Sequence, residues 1–375
     1  MVVSPWNRGD LFPAPPADAD YGWWEDGKPR RASREALEER CKCETPALVW
    51  TPESGGTVVD REVDFLRSAV RERDRAAARS NLGWAKASFG IWSGLLVLQI
   101  WGWEDPRWSG PLFMWIALGV LPLAGALRTC RALRGEPGPV SSEDREAARF
   151  ASWLAEKSWR DTLCTHAVLG VMSVIALVML VVGDGLAIDR AGLHKPAFWS
   201  GEWWRLWTGP WLHGSLLHWF FNAAVLYALG RPVEAVFGRG WLLVILSVAM
   251  LAGSAASVCW LETTSVGFSG AILGLLGFQV GVLSRRPEVL PAGTLKSSLM
   301  SLAMLGALGV VGWQIIDNAA HFGGVAAGVL LGWTGAGAQP SGRWHPGRMV
   351  SVTAGLLLGG SAVWTLWVLT VDLIK

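Results

Sequence analysis

Apolar and polar positions divide this chain into long blocks. Residues 1 to about 87 are polar and Pro-rich at first, then strongly charged, and the stretch DREVDFLRSAVRERDRAAARS predicts a helix with charges on most faces. This 1–87 region is expected to lie in water. Two apolar runs follow, SFGIWSGLLVLQIWGW (Ser88 to Trp103) and GPLFMWIALGVLPLAGAL (Gly110 to Leu127), joined by the short EDPRWS. They predict a membrane hairpin within residues 88–134, although the first run is somewhat short for a hydrocarbon core ~30 Å thick. Residues 135–161 turn polar again and predict a cytoplasmic linker holding a Ser/Asp-capped amphipathic helix.

From about Asp161 the apolar runs come in close succession: TLCTHAVLGVMSVIALVMLVV, SLLHWFFNAAVLYALG, WLLVILSVAMLAGSAASVCWL, SGAILGLLGFQVGVL, LKSSLMSLAMLGALGVVGW, AAHFGGVAAGVLLGW and VSVTAGLLLGGSAVWTLWVLTV. Each is long enough to cross a bilayer, or short by an amount that neighbouring helices can shield, which makes about nine crossings in all. The fold class expected is therefore an all-α membrane protein.

Composition agrees. With 51% hydrophobic residues, 17% charged residues and a mean hydropathy of +0.32, the chain is too apolar for an ordinary soluble protein. The net charge of +2 says less than where the charges sit. RSAVRERDRAAARS, Arg128 to Arg160, Gly230-Arg-Pro with Arg239, Ser284-Arg-Arg-Pro and SGRWHPGR all fall on one side if every run crosses, so the N-terminus is expected in the cytoplasm and the C-terminus outside. The Trp-rich loop from Gly183 to Gly214 then faces outward despite Arg190, Lys195 and Arg205, partly in the interface. The N-terminus lacks the charged-then-apolar order of a secretory signal, so the first apolar helix is expected to insert uncleaved.

Five cysteines, Cys41, Cys43, Cys130, Cys164 and Cys259, form no disulfide framework. Cys41-Lys-Cys43 lacks the further ligands that a zinc site needs, since the first 165 residues contain no His. The histidines are not set in HExxH or beside ligand-spaced carboxylates, which leaves metal a minor option.

Polar side chains inside membrane segments cost about 2.5 to 3.5 kcal/mol for the charged types on insertion scales and usually serve function. His213, His218, Asn222, Ser269 and His321 stand out. His218 and Asn222 are four residues apart, hence on one helix face. His321 opens a segment in which Gly324 and Gly328 permit close helix approach, and Ser269 opens another containing Gly270, Gly274 and Gly277. Two glycine-faced helices suggest a pair packed backbone to backbone, one carrying Ser and the other His. Taken singly, a membrane Ser more often bonds a backbone carbonyl, and a His or a Gly face more often serves packing. Ser, His and a His/Asn pair expected near the same outer side of the bilayer form instead the pattern of nucleophile, base and oxyanion donors. The water-soluble hydrolase elbow Gly-x-Ser-x-Gly does not fit, because the second glycine of Gly267-Phe268-Ser269-Gly270 falls one place early.

These residues resemble the rhomboid family of intramembrane serine proteases over roughly Asp161 to Trp333. Gly267-Phe-Ser269-Gly270 is similar to the family's GxSG, Ala320-His321 with Gly324 and Gly328 to its AHxxGxxxG helix, and His218 to Asn222 to HxxxN, with His213 also in register. Trp204-Arg205 is similar to the WR pair of the first outer loop, and Glu234 with Gly238 to ExxxG. The resemblance implies a six-helix core over residues 162–335, with the N-terminal hairpin and one C-terminal helix (350–371) added around it. It implies a catalytic dyad of Ser269 and His321, an oxyanion hole of His218, Asn222 and the Ser269 backbone N–H, and a supporting role for His213. No cofactor is implied. Partners implied are single-span transmembrane substrates and the lipid bilayer, with no nucleic acid, and the compartment expected is a bacterial inner membrane with the site open to its outer face. Leu273 stands where the family often carries an aromatic residue against the catalytic histidine. Two other function classes are weighed: an inactive rhomboid-like protein that binds client helices, whose relatives typically lack the Ser/His pair, and a transporter, whose inverted repeat is not visible. Asp317, four residues before His321, is expected to cap that helix rather than orient the imidazole.

Overall fold

The computed structural model describes residues 12–17, 19–25, 28–43, 48–102, 109–135, 140–337 and 346–371. The hairpin connection EDPRW, most of SGRWHPGR and the extreme N-terminus lie outside the described residues. The chain forms two compact units, one comprising residues 1–156 and 307–316, the other 157–306 and 317–375.

The first unit contains a feature that the all-α expectation lacks, a four-stranded antiparallel sheet. Strands β1 (Tyr21–Glu25), β2 (Lys28–Ala32), β3 (Leu48–Trp50) and β4 (Thr57–Val59) lie in the order β2-β1-β3-β4, with helix α1 (Arg34–Cys43) between β2 and β3 in sequence. The strands are only three to five residues long, too short for a periodic pattern to register, but β1, β3 and β4 carry β-favouring Trp or Val. Leu37, Cys41, Val49, Val63, Leu66, Ala69 and Val70 form the core beneath them. Cys41 belongs to that core, and burial, with Asp60 next in weight, pushes its thiol up to about 12.

Helix α2 (Arg67–Gly102) runs for 36 residues through the compositional junction at 87/88 without a break. It pairs with α3 (Ser109–Trp115) and α4 (Leu121–Ala132), which are joined by a π turn over Ile116–Val120. Pro122 explains the turn. Lacking an N–H, it leaves the carbonyl of Leu118 without its usual helical donor, and Ser88 Oγ of α2 donates to that carbonyl at 2.6 Å. The amphipathic linker helix is α5 (Ser142–Ala155), capped by Ser141, whose Oγ accepts the Asp144 N–H.

The second unit holds α6 (Leu163–Val182), three short helices α7 (Asp184–Ala191), α8 (Lys195–Trp199) and α9 (Arg205–Thr208), then α10 (Leu216–Phe237), α11 (Arg239–Trp260) and α12 (Ser269–Leu283). Next come α13 (Thr294–Val311), whose last turn groups with the first unit, and then α14 (Asn318–Gly337) and α15 (Arg348–Thr370). Helix α12 is central: all of its residues after Ser269 are buried except Val280, and it packs chiefly against α14, then α11 and α10. Helix α15 docks on α11, where Ser247 Oγ donates to the Ala354 carbonyl at 2.9 Å.

Five helical segments among the described residues are long and apolar enough to cross a membrane: Gly110–Ala132, α6, α11, α13 and α15. Helix α12 is apolar but spans only 15 residues. Helices α10 and α14 have the length but carry polar residues, His218, Asn222, Arg231 and Glu234 in one and Asn318 and His321 in the other. The protein is a mostly helical, multi-pass integral membrane protein.

Candidate active site

Ser269 is the first residue of α12, and the backbone that delivers it is held by Gly267 at φ +123°, a region L side chains rarely adopt. A Cβ at Gly267 would also come within 2.6 Å of His218 Cε1 and 2.9 Å of its Nε2. The glycine thus lets the turn before Ser269 lie against the His218 ring.

Helix α14 reaches the same point by shedding side chains. A Cβ at Gly324 would sit 2.0 Å from the Gly270 carbonyl oxygen, one at Gly328 2.0 Å from that of Gly274, and one at Gly270 3.0 Å from that of Ala320. The two backbones are in direct contact along this seam. At the end of the seam nearest the start of both helices, His321 Nε2 lies 2.7 Å from Ser269 Oγ, within hydrogen-bonding reach. Both side chains are half-buried, shielded but reachable. The geometry suits transfer of the hydroxyl proton to the ring.

Ser215 caps α10, its Oγ accepting the His218 N–H at 3.1 Å. Gly214 N–H donates to His218 Nδ1 at 3.4 Å, which leaves the ring proton of the neutral imidazole on Nε2, the nitrogen facing Gly267. Asn222, one turn further along, is buried, and its Nδ2 has no hydrogen-bond partner among the described residues. His213 is buried at the entrance to α10, its ring 5.2 Å from that of His218 at 71°.

The remaining motif residues stand apart from this cluster. Arg205 is buried in the segment between α6 and α10, where it donates to Glu202, to the Asp189 carbonyl at 3.1 Å and to the Gly192 carbonyl at 2.7 Å, with its guanidinium 4.8 Å from the Trp204 ring centroid. Glu234 is buried near the end of α10 and accepts from Cys164 N, Thr165 N and Thr165 Oγ1 at 2.7 to 2.9 Å, tying α10 to the start of α6. These residues shape the loop and the packing of helices, and among the described residues no hydrogen bond joins them to Ser269 or His321. Asp317 caps α14, its Oδ1 accepting the Ala320 N–H at 2.8 Å. Sequence reasoning missed Lys195, Ser257 and Ser265, which lie near the site. The one available signal was that Lys195 broke the inside bias of basic residues. Among the described residues no group of His, Cys, Asp and Glu could hold a metal ion.

Fold and site together define a multi-pass membrane protein that brings a serine and a histidine into contact between two glycine-seamed helices. A family model described as "Rhomboid domain" matches residues 200–338, the stretch that holds all five polar residues above. The chain is 34% identical over 168 residues to rhomboid protease GluP of Bacillus subtilis (strain 168), covering 43% of this chain and 32% of that protein. It is 30% identical over 202 residues to rhomboid protease GlpG of Serratia proteamaculans (strain 568), covering 49% of this chain and 72% of that protein. To the mitochondrial RHOMBOID-like protein 6 of Arabidopsis thaliana it is 32% identical over 157 residues, covering 41% and 50%. The chain belongs to the rhomboid family. It spans between 32% and 50% of the length of the first curated relatives it matches.

Proposed function

We propose that this chain is an intramembrane serine endopeptidase that cuts transmembrane segments of single-span membrane proteins with a Ser269–His321 dyad. One observation carries the proposal: the 2.7 Å contact between His321 Nε2 and Ser269 Oγ. His321 takes the hydroxyl proton as Ser269 attacks the scissile carbonyl, then hands it to the leaving amine, and water hydrolyses the acyl-enzyme by the reverse transfers. The Ser269 backbone N–H, His218 Nε2–H and Asn222 Nδ2–H stabilise the oxyanion. Support comes from the Nε2 tautomer of His218, the Asn222 donor without a partner among the described residues, and the first-turn N–H groups of α12, which receive no side-chain cap from Phe268.

At 15 residues α12 is only about 22 Å long, so a helix sealed on all sides by neighbours carries its N-terminal serine below the lipid surface. Water enters from the outer face. Residues 162–335 form the six-helix core, in which α10, α12 and α14 also cross. With the 88–134 hairpin and the 350–371 helix this makes about nine crossings, with residues 1–87 and the 135–161 linker in the cytoplasm of a bacterium and the site facing outward. A substrate helix must unwind before its carbonyl is reached, so favoured substrates carry helix-breaking and small residues near the scissile bond.

The test is covalent labelling of the purified protein by a serine-directed fluorophosphonate probe. Ser269→Ala is expected to lower labelling by at least ~10³-fold, to background. Labelling that survives this change, or that a chelator removes, would sink the dyad. Cleavage of stable, bulky helical spans as fast as broken ones would sink the substrate class.

A further inference from the structure

Four polar side chains from separate segments of the second unit form one continuous chain of bonds that the dyad chemistry does not use. Lys195 Nζ at the start of α8 donates to Ser265 Oγ at 2.5 Å. The hydroxyls of Ser265 and Ser257 lie 3.0 Å apart, and Ser257 Oγ donates to Asp317 Oδ2. The other carboxylate oxygen of Asp317 accepts the Ala320 N–H, and the Asp317 carbonyl accepts the N–H of His321 at 3.1 Å.

The direction of the chain is forced. A carboxylate only accepts, so Ser257 must spend its hydrogen on Asp317; its oxygen must then receive the hydrogen of Ser265, and Ser265 must receive from the lysine. The result is a buried cation and a half-buried anion joined through two hydroxyls. Lys195 is 2% exposed and Ser257 is fully buried. Burial pushes the Lys195 ammonium down to about 8, with Asp317 acting the other way. A charge this enclosed is tolerated only when paired and bonded.

The backbone keeps the chain in register. Leu193 and Ser265 exchange two backbone bonds at 3.0 and 3.2 Å, and Arg205 grips the Gly192 carbonyl from behind. The far end of the chain is the residue from which the first turn of α14 departs, one turn before His321. Among the described residues no aromatic ring stacks on the His321 imidazole, so the start of its helix is what remains to aim it.

We propose that Lys195 and Asp317 are positioning residues, whose bond chain through Ser265 and Ser257 fixes the first turn of α14 and so aims His321 at Ser269. The inference rests on the proposed protease function. It makes the outer loop part of the catalytic geometry, because the loop supplies the cation on which the chain ends.

Asp317→Asn separates this role from simple capping. Asparagine caps a helix about as well as aspartate, but its amide would donate to Ser257 and break the one-way chain. Full-length wild type, Asp317→Asn, Lys195→Met and the double variant, which leaves no buried charge unpaired, are compared in detergent by fluorophosphonate labelling and thermal unfolding. Each single variant is expected to lower the maximal labelling rate by about 10- to 100-fold with half-saturation by the probe unchanged. The double variant is expected to match the worse single variant rather than multiply the two losses. An Asp317→Asn protein that labels like wild type would reduce Asp317 to a cap and overturn the inference, as would multiplying losses. If Lys195→Met alone fails to fold, the double variant and Asp317→Asn still decide. Absence of labelling in the wild type would bring down the protease function and this inference together.

Discussion

The N-terminal globule and the α12–α14 pair solve the problem of close packing in opposite ways. The globule gathers large side chains, Leu37, Leu66 and Val49, beneath its sheet, the packing that the hydrophobic effect rewards. The helix pair does it by omission, setting Gly324 on Gly270 and Gly328 on Gly274. In lipid, apolar side chains gain little by leaving a medium as oily as themselves, and what remains is dispersion between backbones brought near enough to touch. The same seam that stabilises the pair also carries Ser269 and His321 to 2.7 Å. Packing and chemistry are therefore separable in the globule and inseparable in the helix pair.

That contrast is open to direct attack. The largest effect is expected from Gly324→Val, whose Cβ would lie 2.0 Å from the Gly270 oxygen; backbone cannot yield, so the pair should separate, with fluorophosphonate labelling and heat stability lost together. Wild-type labelling by this variant would show that the seam does not align the site. In the globule, Leu66→Ala, at a fully buried position, should cost about 2–5 kcal/mol of stability there. Limited proteolysis should register the loss while labelling of Ser269 stays at the wild-type rate, and a matching fall in labelling would refute the separation. The smallest effect is expected from Ser88→Ala. It strands the Leu118 carbonyl that Pro122 leaves without a helical donor and should cost about 1–3 kcal/mol, read as a lower unfolding midpoint and earlier exchange around the π turn. An unchanged midpoint would mean that another group satisfies the carbonyl.

The candidate site was easier to read in the sequence than parts of the fold were. Ser269, His321, His218 and Asn222 could be singled out because each is a polar residue in an apolar run, where its presence demands a reason. The glycines beside them were visible for the same cause, as small residues at helical spacing. The sheet was hidden because LVW and TVV are three-residue strands whose pairing is decided by partners elsewhere in the chain. The continuity of α2 was hidden by the abrupt change of composition near residue 87, which marks a change of surroundings and not of backbone. The Lys195 to Asp317 chain was illegible because it is assembled from four segments with no common period. Only folding brings Leu193 beside Ser265 and so closes the circuit.

Helix α2 has a mechanical meaning of its own. Its 36 residues make a rod of about 54 Å, and no proline interrupts it between Arg67 and Gly102. A rod without a joint transmits torque. Whatever turns its charged half therefore also turns the oily half, and lever, shaft and load are one piece of chain.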